Sequence, residues 1–129
     1  MRRVVVWGTG NMGATAIRST VGFPGLSLSG LITSSAEKTG RDAATFAGLD
    51  TDTGVLAVSD PAAVDAALTA GDAVAYMASG DIRPDEAITD IERALRAGCH
   101  VVTPSLYSLY DPRSAPPEWV QRLTAAARA

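Results

Sequence analysis

A chain of 129 residues, 47% hydrophobic and 19% charged, suits one domain with a buried core and excludes a disordered sequence. A formal net charge of −3 argues against nucleic acid or an anionic membrane as a general partner, so any anion site must be a local patch. The single cysteine, Cys99, excludes an internal disulfide and fits a reducing cytoplasm, and no apolar run reaches the ~20 residues that span a bilayer or the length of a signal-peptide core.

The chain opens on Val4-Val5-Val6-Trp7, an apolar, β-branched run typical of a buried strand in a parallel sheet. Gly8-Thr9-Gly10-Asn11-Met12-Gly13 follows at once, in the pattern G-x-G-x-x-G, where the strand must turn into a helix. That placement is the dinucleotide-binding fingerprint. Gly8 permits the tight turn, Gly10 lets a pyrophosphate approach the backbone, and Gly13 lets the helix pack close to the strand. The free N–H groups and the positive dipole end of the helix then face the phosphates. A bare strand-to-helix turn without a ligand is the alternative.

Strand-like and helix-like segments then alternate. The pattern predicts a first helix over 14–21, a second strand over 26–32, a short helix over 41–47 and a short strand over 55–58. Ser59-Asp60-Pro61 reads as a helix start, with a capping side chain and proline at the first helical position, and that helix runs to Ala70. A fourth strand is expected over 73–77, a helix over 84–97 with Ala87, Ile88, Ile91, Ala94 and Leu95 on one face, and a fifth strand over 99–103. After a proline-rich loop, 118–129 reads as a last helix. The class is α/β, a doubly wound parallel sheet over 1–129 as one Rossmann domain. The strand count falls one short of a complete Rossmann sheet, and the last helix has no glycine or asparagine stop. The expectation is therefore the N-terminal part of a longer two-domain protein, with a complete small domain as the alternative.

In an NAD-binding domain, an Asp or Glu about 20 residues past the fingerprint bonds the ribose 2′-OH. Here the tip of the second strand reads Thr33-Ser34-Ser35, with Lys38 and Arg41 beyond and Glu37 past the turn. Hydroxyls and cations without a carboxylate at the tip favour a 2′-phosphate, so NADP is expected over NAD. A merely solvated loop is the alternative for Lys38 and Arg41. At the other carboxyl ends, Ala78-Ser79-Gly80 lets a backbone approach the cofactor, and Thr103-Pro104 falls toward the nicotinamide. Asp81 reads as a turn or cap residue, and the segment from Leu106 to Asp111 either lines a substrate pocket or packs the loop. His100 reads as a sheet residue and Cys99 as a small buried hydrophobe. No metal ligand set and no nucleophile–base pair is present.

Three stretches carry a resemblance: Val6-Trp7-Gly8-Thr9-Gly10-Asn11-Met12-Gly13, Lys38-Thr39-Gly40-Arg41-Asp42-Ala43 and Gly98-Cys99-His100-Val101-Val102-Thr103. Through them the whole chain resembles the N-terminal domain of the dihydrodipicolinate reductase-like superfamily, within it the 2,4-diaminopentanoate dehydrogenase and native amine dehydrogenase branch. The resemblance implies NAD(P)H-dependent reduction of an imine, or oxidation of an amine, with the substrate held by a second domain and the full-length protein a homo-oligomer. The chain departs from the reductases proper at Met77-Ala78-Ser79-Gly80, where they carry Asp-Phe-Thr. It departs from the amine dehydrogenases at Pro104-Ser105-Leu106-Tyr107, where they carry an acidic residue. The expected function is an NADP(H)-binding domain of an oxidoreductase acting on a C=N or C=O group, with catalytic residues unassigned and no turnover by these residues alone. The alternatives are a non-enzymatic dinucleotide sensor and, more weakly, an S-adenosylmethionine site, against which the basic tip argues.

Overall fold

The computed structural model describes residues 1–79, 83–111 and 113–129. Five strands form one parallel sheet: β1 (Arg2–Trp7), β2 (Leu26–Ile32), β3 (Ala57–Val58), β4 (Ala73–Tyr76) and β5 (His100–Val102). Their order, β3-β2-β1-β4-β5, is that of a doubly wound Rossmann sheet. The helices are α1 (Asn11–Gly22), α2 (Ala43–Ala47), α3 (Pro61–Ala70), α4 (Pro84–Arg96) and α5 (Pro117–Arg128), with a short 3₁₀ turn at Tyr107–Tyr110.

The alternation of side chains along β1 divides the core in two. Val6 packs with Ile17, Leu31, Ala43 and Ala47 on the face covered by α1 and α2. Val5 and Trp7 pack with Val64, Leu68, Ile88 and Ile91 on the face covered by α3 and α4, against which Trp119 and Leu123 of α5 also lie. Leu106 joins that second core and Leu109 packs against it, so this part of the loop after β5 packs rather than opens. Polar clips fix the frame. Arg3 holds Asp72 through its main-chain N–H (2.8 Å) and its guanidinium (3.3 Å), tying the start of β1 to the turn before β4. The Arg122 guanidinium reaches Glu92 (3.1 Å) and locks α5 onto α4.

Local chemistry explains the element ends. The Asp60 carboxylate accepts from the Ala63 N–H (3.2 Å) ahead of Pro61, which starts α3 where the sequence placed it. α4 carries Asp85 and Glu86 in its first turn and Arg93 and Arg96 in its last, each sign opposing the helix dipole. Several boundaries differ from expectation, and three of them have a visible cause. α1 begins at Asn11 rather than Ala14, because helical geometry starts inside the glycine pattern with Gly10 as its N-cap. α2 begins at Ala43 rather than Arg41. Arg41 instead lies extended beside β3, its carbonyl accepting from the Ala57 N–H (2.9 Å), and Asp42 caps the helix. β3 shrinks because Leu56 bridges antiparallel to Asp42 instead of joining the sheet. His100 is an exposed residue of β5, as read from the sequence, and the buried Cys99 thiol donates to the Leu68 carbonyl (3.1 Å).

Asp42 is the fastener of that segment. Its carboxylate accepts from the Ala44 N–H (2.9 Å), the Thr53 N–H (2.9 Å), the Thr53 hydroxyl (2.8 Å) and the Gly54 N–H (2.8 Å). These donors, the Ala44 N–H foremost, hold its carboxyl down at about 2. A depressed carboxyl stabilises fully above its unfolded value, about 3.9, and loses that contribution as pH falls through the folded value. Asp42→Ala should therefore melt below the parent at neutral pH, and the gap should close between about pH 4 and about pH 2. Melting curves across that range check this, and a gap that stays constant would contradict it.

Candidate functional site

The turn from β1 into α1 is confined on both sides. Gly8 has φ +127°, and a Cβ built on it would lie 2.9 Å from the Ala78 nitrogen at the end of β4. A Cβ on Gly13 would run into the Gly8 carbonyl oxygen. Gly10 is the opposite case: it is extended, with no atom within 4 Å of where its Cβ would stand. Among the described residues no side chain caps α1, and no acidic residue sits in its first turn. The first-turn N–H groups at Asn11, Met12 and Gly13 thus lack intrahelical partners, and no acidic side chain of that turn offsets the positive end of the helix.

The tip of β2 supplies the neighbouring wall. Thr33 is buried, and its hydroxyl lies 3.3 Å from that of Thr9 and accepts from the Ser35 N–H (3.2 Å). The Lys38 ammonium donates to the Thr9 hydroxyl (3.2 Å) and stands 5.9 Å over the Phe46 ring. One cation and two hydroxyls therefore meet beside the open end of α1, although they are spread over 29 positions of sequence. Arg41 does not join them: it is exposed, and its guanidinium makes no hydrogen bond or ion pair with a described residue. Glu37 is exposed on the same turn.

A cleft of about 450 Å³ opens over the carboxyl ends of β1, β2 and β4. Of the residues singled out from sequence, Gly8, Thr9, Gly10, Thr33, Ser34, Ala78 and Ser79 line it. Ser35 and Lys38 adjoin it through the hydrogen bonds just described. Gly13 is buried beneath the turn, whereas Asn11 and Met12 are exposed at the helix start. Gly80 and Asp81 lie outside the described residues. Thr103 and Pro104 do not line this cleft; the Thr103 hydroxyl donates to the Tyr76 carbonyl (2.7 Å) and accepts from the Ser105 N–H (3.0 Å).

Sequence reasoning missed the inner wall of the cleft, which α3 and α4 supply. Val64, Arg83, Glu86, Asp90 and Arg93 line it, with Trp7 and Ile32 from the strands. The Tyr76 hydroxyl, whose ring is buried edge-on to Trp7 (centroids 5.5 Å apart), donates to Asp90 Oδ2 (2.7 Å). Burial pushes the Asp90 carboxyl above the ordinary carboxylate range, and burial together with the neighbouring carboxylate pushes the Tyr76 hydroxyl up. The strong apolar face of α4 could have pointed to this wall, because Glu86, Asp90 and Arg93 recur along the helix at one edge of that face.

No family model matches the chain. It is 51% identical over 126 residues to an amine dehydrogenase of Streptomyces virginiae, which covers 98% of this chain and 34% of that protein. Among solved structures it superposes on an amine dehydrogenase from Mycobacterium smegmatis with a TM-score of 0.84 and 25% identity, over 98% of this chain and 36% of the other. A 3-ketoreductase from Actinomadura kijaniata, solved with NADP and TDP-benzene, gives a TM-score of 0.64 at 23% identity, over 98% of this chain and 34% of that one. An oxidoreductase from Agrobacterium radiobacter, solved with NAD+, L-tartaric acid and magnesium, gives 0.64 at 14% identity, over 97% and 33%. The last two likenesses concern the fold alone. The chain spans about a third of the length of the relatives it matches.

The contrast between Gly10 and Gly13 can be measured on the folded protein without any ligand. Gly10→Ala meets open space and should leave the melting temperature close to that of the parent, whereas Gly13→Ala should cost about 1–3 kcal/mol by overpacking against backbone. Denaturant unfolding of both variants checks this, and equal stabilities would show that α1 is not seated as described.

Proposed function

We propose that this chain binds NADP(H) and forms the dinucleotide-binding domain of an oxidoreductase acting on a C=N (imine or amine) or C=O group, in the dihydrodipicolinate reductase-like superfamily. The observation that carries the reading is the Lys38–Thr9–Thr33 cluster beside the uncapped start of α1. The residues fit the cofactor: Gly10 leaves the space that a diphosphate needs, and the N–H groups of Asn11, Met12 and Gly13 offer donors to it. Lys38, with the hydroxyls of Thr33, Ser34 and Ser35, would hold a 2′-phosphate at a strand tip that carries no carboxylate to repel it. Arg41, further along the same turn, would add long-range attraction. The 51% identity to an amine dehydrogenase and the superposition on a second one support the oxidoreductase reading and lean it toward amine or imine chemistry.

When bound, the nicotinamide supplies the hydride chemistry, and the protein binds, orients and shields it. Ala78, Ser79 and Gly80 would let the backbone approach a ribose or the nicotinamide side, and Thr103 and Pro104 would border the nicotinamide end. The substrate would be held by the remainder of a longer protein.

Calorimetric titration with NADPH and NADH at matched salt tests the reading. NADPH should bind the more tightly, and Lys38→Ala should cost NADPH about tenfold, the equivalent of one charge-assisted contact, while leaving NADH nearly unchanged. Arg41→Ala should cost NADPH less than Lys38→Ala. Binding of neither dinucleotide would sink the reading, and equal losses for both in Lys38→Ala would sink the NADP preference.

A further inference from the structure

We infer that the inner part of the cleft receives the adenine base and that Asp90 reads it, accepting a hydrogen bond from the exocyclic 6-amino group. This rests on the dinucleotide reading above and adds a specificity-determining residue to it. The connectivity of the ligand directs the base here. In NADP the 2′-phosphate sits on the adenosine ribose. A phosphate held at Lys38 and Thr33 therefore places adenine, not nicotinamide, in the adjoining cleft. Thr103, expected toward the nicotinamide, lies away from it.

The chemistry of the inner wall selects the edge of the base. Trp7, Ile32 and Val64, all but buried, make the apolar part of its lining. The two cations of this wall already have anionic partners: Arg83 pairs with Glu86 (2.7 Å), and Arg93 pairs with Asp65 (2.7 Å) while also donating to the Pro61 carbonyl (2.8 Å). Asp90 is different. Its Oδ2 accepts from Tyr76, and its Oδ1 has no hydrogen-bond partner among the described residues. Tyr76 is fully buried against Trp7, so the carboxylate is held in place at the wall. A fixed acceptor at the wall of the cleft can take an N–H from the ligand. A purine with a 6-amino group supplies one, whereas a 6-oxo purine would set its carbonyl oxygen against the carboxylate.

The test compares NADPH with its hypoxanthine counterpart, in which the 6-amino group is replaced by a 6-oxo group, titrated into this chain and into Asp90→Asn. The parent should bind the 6-oxo dinucleotide about tenfold or more weakly, as expected for losing a hydrogen bond to a charged group. In Asp90→Asn the amide oxygen can still accept from Tyr76 and the amide NH2 can turn to the cleft, so the discrimination should vanish or reverse. Equal affinity of the parent for the two dinucleotides would overturn the inference and leave the dinucleotide reading standing, a result that needs no variant. A variant that keeps the parent's ratio would overturn the role of Asp90. A parent that binds neither would remove both readings together.

Discussion

The carboxyl end of the sheet depends on one backbone contact, the seating of α1 on the Gly8 carbonyl at Gly13, where even a methyl group has no room. A helix held that closely carries its uncapped first turn to the end of β1. β1 has β2 on one side and β4 on the other, so the open N–H groups come to stand between the tips of two neighbouring strands. Gly8 is pressed from the far side by the end of β4, and the turn is thus fixed from both directions. Thr9, the residue between the confined glycine and the open one, is carried to within hydrogen-bond distance of Thr33.

The polar groups around this turn divide into two kinds. On the side of β2, an ammonium and a cluster of hydroxyls face a helix end of positive potential, within a chain whose net charge is −3. Attraction for an anion is therefore local, built from a few donors at short range, and bulk charge opposes it. On the side of α4, the cations are matched, Arg83 with Glu86 and Arg93 with Asp65, and Asp90 adds a further carboxylate, so that wall offers no net attraction to an anion. An elongated ligand with an anionic middle and a neutral end would be oriented by that difference alone.

Much of this architecture was legible in the sequence, for reasons specific to each element. The run Val4–Trp7 with its glycines, the strand Leu26–Ile32 and the capped start at Asp60-Pro61 are local signals, set by β-branching, turn residues and a side-chain cap, and the structure keeps them. The start of α2 was not legible. Whether Asp42 caps a helix or Arg41 opens it depends on Thr53 and Gly54, which reach back across more than ten residues to the Asp42 carboxylate. The candidate site divides in the same way. Its glycines and hydroxyls follow from position at strand ends. Which cation turns toward Thr9 is decided by the Phe46 ring beneath Lys38, and the exposure of Asp90 to the cleft is decided by Tyr76. Both are tertiary facts, and each looks in sequence like an ordinary polar residue on a turn or helix.

The loop after β5 is tied back into the frame. Beyond β5, Thr103 and Ser105 both carry hydroxyls. Both donate to one acceptor, the Tyr76 carbonyl, at 2.7 and 3.2 Å. Tyr76 in turn holds Asp90 through its side chain, so the backbone and the hydroxyl of one buried residue tie the tip of β5 to the wall of the cleft. Groups so committed hold strand ends in register; to hand a proton to a ligand they would have to break the bonds that fix their position. Thr103 and Ser105 are therefore positioning groups.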